Sequence, residues 1–137
     1  MSGRRMFLQV YIEPVPQGSM RSIRTKSGRT VTLHSAGSRL AVYRATVNEG
    51  ARLKWKGGPS AGPIKLGLTF YFVPPRKPRH KVFPITRRIG DIDKLERAVL
   101  DALTGVVYID DSQVVKVEKV KSYFDESQVL IEVEEID

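Results

Sequence analysis

The chain of 137 residues contains no cysteine. Disulfides and thiolate zinc sites are therefore excluded. It has two histidines, His34 and His80, far apart and in basic surroundings, which argues against a histidine-rich metal centre. No apolar run approaches the roughly 20 residues of a spanning helix. None of signal-peptide length follows Met1-Ser2-Gly3-Arg4-Arg5. The expectation is a soluble, cytoplasmic protein with no membrane partner. Aromatic residues make up only 8%, and most fall in strand-like segments. Acid is scarce where base is plentiful: residues 1–90 hold 18 Lys/Arg against 2 Asp/Glu, and residues 91–137 hold 5 against 13. The formal net charge is +8 and the sequence pI about 9.9. A charge of that size speaks of a polyanionic partner, nucleic acid before a membrane surface. Its segregation along the chain argues against a role in solubility alone.

What is present reads as one domain over residues 1–137. Met6–Glu13 is strand-like and stops at Pro14 and Pro16. In the basic stretch that follows, Lys26-Ser27-Gly28-Arg29 can turn a hairpin with Thr30–Leu33 returning. Ser38 can cap a helix to about Trp55, with Leu40, Tyr43, Val47 and Ala51 at helical spacing. Ile64–Val73 is a second main strand, followed by a second basic loop over residues 74–90. Ile92, Leu95, Ala98, Val99, Ala102 and Leu103 predict a helix that Gly105 ends. Val106–Ile109, Val114–Tyr123 and Gln128–Glu134 read as strands, with a turn at Asp110-Asp111-Ser112. The sum is an α+β domain: a mixed β-sheet in β-α-β-α-β-β-β order, with two helices packed on one face.

The carboxylates carry the chemistry. Asp91 and Asp93 lie two apart in an extended segment, so they can point to one side. A short helix and the reversal at Gly105 can bring Asp110 and Asp111 back toward them. Carboxylates without histidine suit a hard cation, Mg²⁺ first and Mn²⁺ as a substitute. A plainer reading stands beside this one. Asp93 followed by Glu96 fits a helix N-cap, Asp110 and Asp111 are ordinary turn residues, and Asp101 falls on the exposed side of the helix.

The segment Asp91-Ile-Asp93-Lys94, then Arg97, Asp101-Ala-Leu and Asp110-Asp111-Ser-Gln113-Val114 resembles the RusA family of crossover-junction endodeoxyribonucleases. The opening Pro14-Val-Pro16-Gln-Gly18 is also similar to many members. The resemblance implies a homodimer that binds four-way DNA junctions and nicks two strands symmetrically with Mg²⁺. The implied setting is DNA recombination and repair in a bacterium or phage. Asp91, Asp93 and Asp111 match the family's metal-binding carboxylates, and Asp110 the adjacent acid. Lys94 stands where the family has Asn, and Arg97 where it has Lys. Arginine stays protonated, so Arg97 can act electrostatically but cannot transfer a proton. Lys94 shares its helix face and is the candidate to bring an ammonium to the scissile phosphate.

Arg21, Arg24, Lys26 and Arg29 in the first basic segment, and Arg76, Lys77, Arg79, Lys81, Arg87 and Arg88 in the second, read as phosphate-holding residues. Phe83, isolated among them, is open to two uses: packing over the base of the loop, or wedging into an opened junction. Trp55 is a packing anchor or a dimer contact. His80 has no catalytic role in this reading. A second class of function stays open, a non-catalytic or loosely branch-selective DNA-binding relative.

Overall fold

The computed structural model describes residues 3–18, 20–24, 28, 30–34 and 37–137, and for residues 20–24 and 30–34 the backbone alone. The elements run β1 (Arg5–Val10), β2 (Met20–Arg24), β3 (Thr30–His34), α1 (Gly37–Lys54), β4 (Ile64–Phe72), α2 (Ile92–Leu103), a 3₁₀ turn at Asp111–Gln113, β5 (Val114–Tyr123) and β6 (Gln128–Glu135). The main sheet has the order β1-β6-β4-β5. β4 and β5 are parallel and the other two pairs antiparallel. β2 and β3 form the expected hairpin as a separate two-stranded ribbon. The result is the α+β fold with a mixed sheet and two helices that the sequence predicts.

The central strand shows how composition sets this arrangement. In β4 every second residue is apolar, and Ile64, Leu66, Leu68, Phe70 and Phe72 are buried. They meet Met6 and Leu8 of β1, Val129, Ile131 and Val133 of β6, and the apolar stripes of both helices in one core. Leu40, Tyr43, Val47 and Ala51 are the buried residues of α1, as their spacing requires. Burial of a large apolar side chain contributes roughly 1.5–3 kcal/mol, so this shared face dominates stability. Trp55 packs inside, only 5% exposed, and donates from Nε1 to the Gly58 carbonyl at 3.0 Å. It is a packing anchor.

Three features differ from expectation, the first being that α1 already begins at Gly37, so Ser38 lies within the helix and does not cap it. The first strand ends at Val10, because Ile12 N–H donates back to the Val10 carbonyl at 3.1 Å and turns the chain before Pro14. Val106–Ile109 is not a strand. Val106 and Val107 donate to Leu103, Gly105 donates to Tyr108, and Ser60 donates to Val107. Only bridges at Tyr108 remain of the predicted ladder. The backbone groups of this buried run are thus satisfied by tight turns. The Tyr108 hydroxyl donates to the Leu100 carbonyl at 2.7 Å, and burial pushes its pKa up. Among the described residues no helix is long and apolar enough to cross a membrane.

Candidate active site

The first acidic pair stands at the start of α2, where the chain enters under constraint. Gly90 has φ +96°, and a Cβ there would lie 2.7 Å from Cγ of Pro16. Only glycine allows both the turn and that approach. Lys121 Nζ donates to the Gly90 carbonyl at 2.9 Å. Asp91 follows in extended conformation as the N-cap, and its carbonyl accepts from Lys94 and Leu95 N–H at 3.1 Å each. Its carboxylate makes no capping hydrogen bond and is exposed. The N-cap is therefore Asp91 and not Asp93. Asp93 is an exposed first-turn residue, and Glu96 pairs with Lys119 at 3.0 Å instead of closing a capping box. Lys94, half-buried, is held through its carbonyl, which accepts from Gln17 N–H at 3.0 Å.

The second pair divides its labour. Asp110 caps the 3₁₀ turn, accepting from Ser112 N–H at 3.0 Å. Hydrogen bonds from Ser112, side chain and backbone, hold its carboxyl below the ordinary carboxylate range. Gln113 completes the box: its Oε1 accepts from Ile109 and Asp110 N–H at 2.8 and 3.0 Å. Its Nε2 donates to the Ser60 and Gly62 carbonyls at 2.8 and 3.0 Å. One amide thus ties the acidic turn to the segment that leads into β4. Asp111 is left with its carboxylate outside the cap. Arg97 Nη1 binds it at 2.5 Å and lies 3.6 Å from Asp101. The Asp111 hydrogen bond is the main cause that pushes the Arg97 pKa up.

These contacts decide what comes together. Among the described residues no three carboxylates or histidines lie close enough to hold one cation. β4, α2 and β5 form a parallel crossover, so the turn after α2 lies at the far end of the helix from Asp91. Asp111 lands beside Arg97 and Asp101. Asp101 is two turns past Asp93, roughly 12 Å at about 1.5 Å per residue. The donor set still fits a hard cation in kind, being all carboxylate oxygen, exposed at Asp91 and Asp93 and half-buried at Asp111. In this arrangement Asp111 is held by Arg97, away from the first pair.

Asp101 departs from its expected exposed position. It is half-buried and accepts from Gln17 Nε2 at 2.8 Å. The signal was its place four residues after Arg97, a spacing that pairs opposite charges on a helix. Gln17 is too distant in sequence for such a rule. Gln113 was visible as a motif residue, but its bonds to Ser60 and Gly62 are tertiary.

Arg76, Lys77, Arg79, Lys81, Arg87 and Arg88 are all exposed, as is His80. Among the described residues only Arg88 of these six pairs with a carboxylate, Glu13 at 3.4 Å. Arg21 and Arg24 lie in β2, whose side chains fall outside the described residues, and so do Lys26 and Arg29.

The α+β fold thus sends an exposed cationic loop straight into a carboxylate-bearing helix. A family model of endodeoxyribonucleases matches residues 12–134. That family is RusA, and the chain belongs to it. No curated protein matches the chain.

Proposed function

We propose that this protein is a Mg²⁺-dependent endonuclease that resolves four-way (Holliday) DNA junctions, acting as a homodimer that places two symmetric nicks. The observation that carries this reading is the loop over residues 74–90. Its cations are exposed and, apart from Arg88, unpaired among the described residues, and they run directly into Asp91 and Asp93. Cations there hold the backbone of a polyanion. Carboxylates beside it would repel the same backbone unless a cation came between.

Asp91 and Asp93 at the start of α2, and Asp111 beyond its far end, are the carboxylates that would supply the metal-binding oxygens, and Asp110 fixes the turn that presents Asp111. When bound, Mg²⁺ would supply Lewis acidity for activating water and charge to screen the attacked phosphate, and Mn²⁺ could substitute. Hydrolysis is direct, since the chain has no cysteine and no evident serine–histidine pair for a covalent intermediate. Arg97 stays protonated throughout and acts by charge alone. Lys94, three residues earlier on the same helix face, brings its ammonium to the scissile phosphate. Lys94→Ala should then lower the nicking rate at least about 100-fold, as loss of a transition-state donor does. Junction affinity should change less than about threefold, the size of a single screened surface charge; equal losses in both would remove Lys94 from the chemistry.

The deciding experiment is cleavage of a mobile four-way junction with Mg²⁺, beside a linear duplex of the same sequence, for wild type and Asp111→Asn. Paired symmetric nicks by wild type alone, with junction binding kept by the variant, support the reading. The Arg97–Asp111 ion pair favours a second one, a DNA-binding relative that is non-catalytic or loosely branch-selective. Tight junction binding without nicks in Mg²⁺ or Mn²⁺ would select the non-catalytic form. Nicks spread over several branched substrates would select the loose one.

A further inference from the structure

We propose that Val82, Phe83 and Ile85 form an apolar tip that enters the opened centre of a branched DNA and stacks against the bases exposed there. The inference rests on the branched-DNA reading above. The loop between β4 and α2 is pinned at both sides of this tip. The Val82 carbonyl accepts from Tyr123 N–H at 2.8 Å and from Ser122 Oγ at 3.2 Å. The Gly90 carbonyl is held by Lys121. Pro84 and Ile89 are the buried residues of this stretch, Ile89 within the main core, and Phe83 is not among them. Val82, Phe83 and Ile85 are instead 55%, 54% and 63% exposed.

Scattered exposed apolar residues need no explanation, but three within four positions, flanked by cations along the loop, mark a contact surface. The flanking charge selects the partner. Lys81, Arg87 and Arg88 flank the tip in sequence, with Arg76, Lys77 and Arg79 just before it. Exposed apolar residues set among exposed cations of the same loop match a nucleic acid whose bases are accessible and whose phosphates lie close by. An intact duplex hides its bases, whereas a branch point exposes unstacked faces. Aromatic rings stack on any base, and apolar side chains wedge between base steps. The tip would thus favour branched over linear DNA without reading sequence.

The test uses the full chain without divalent metal and a four-way junction carrying 2-aminopurine at the branch point, with a second junction labelled mid-arm. Wild type should change the emission of the branch probe and leave the mid-arm probe unaltered. Phe83→Ala, at an exposed position outside the core, should lose that change. It should bind the junction roughly tenfold more weakly, with duplex affinity and salt dependence unaltered; Phe83→Trp should restore the signal. The same branch-probe change in wild type and Phe83→Ala at saturation would overturn the inference, even if junctions are nicked normally. Equal weakening on junction and duplex would overturn it too. Wild type that shows no preference for the junction would bring down the resolvase reading and this inference together.

Discussion

Two arginine–carboxylate pairs in this protein differ in everything except their chemistry. Arg4 grips Glu135 with both Nε and Nη2, at 3.2 and 3.0 Å. Its Nη1 donates to the Lys56 and Gly58 carbonyls at 2.7 Å each, and its guanidinium lies 4.4 Å over the Trp55 ring. Four of its five guanidinium donors and a stacked face are used. Arg97 meets Asp111 through Nη1 and reaches Asp101 only at 3.6 Å, with nearly half of its side chain exposed. The first pair is a structural clamp, held on several sides by carbonyls, a carboxylate and a ring. The second is a contact between two side chains that can part without leaving a buried group stranded. An ion pair's role is therefore read from what surrounds it, more than from its length.

Breaking both pairs should separate them. Arg4→Ala removes several charge-assisted bonds at once and should cost about 2–3 kcal/mol in chemical denaturation. A loss under about 1 kcal/mol would erase the distinction. Arg97→Ala should cost less than about 1 kcal/mol. It should also bind Mn²⁺ more tightly by electron paramagnetic resonance, because Asp111 loses its internal cation; weaker binding would mean that Arg97 helps to assemble the carboxylates. The smallest effect concerns pH. Arg4, then Ser60, hold the Glu135 carboxyl down at about 2 against an ordinary value of 4.5. A depressed carboxyl stabilises the fold fully above the unfolded value and loses that contribution as pH falls toward the folded one. The stability gap between wild type and Glu135→Gln should stay level above about pH 4.5 and narrow below it, and a gap that widens in acid would contradict this assignment.

Much of the architecture was legible because burial imposes periodicity. The alternation of β4 and the three- and four-residue spacing in both helices located the core-facing residues directly. Val106-Val107-Tyr108 misled for a physical reason: a short run that is buried all round has no period, so a strand and a packed turn look alike. The N-cap fell on Asp91 because Gly90 and Pro16 set the direction of the chain there, a contact between segments far apart in sequence. For the same reason the sequence could nominate Asp91, Asp93, Asp110 and Asp111 but not their separation. A helix start and the turn beyond its far end are neighbours in sequence, while the parallel pairing of β4 with β5 sets them apart in space.

The Arg4–Glu135 clamp has a consequence in time as well as in energy. It joins residues 131 positions apart, beside the ladder that zips β1 to β6. Contacts of such span close only after the intervening chain has been ordered, since closing a long loop early is entropically costly. Interactions that form late leave the folding rate nearly untouched and act on the rate of unfolding. The clamp is thus a latch on the way out of the native state. Cutting it should shorten the lifetime of the folded protein far more than it delays folding.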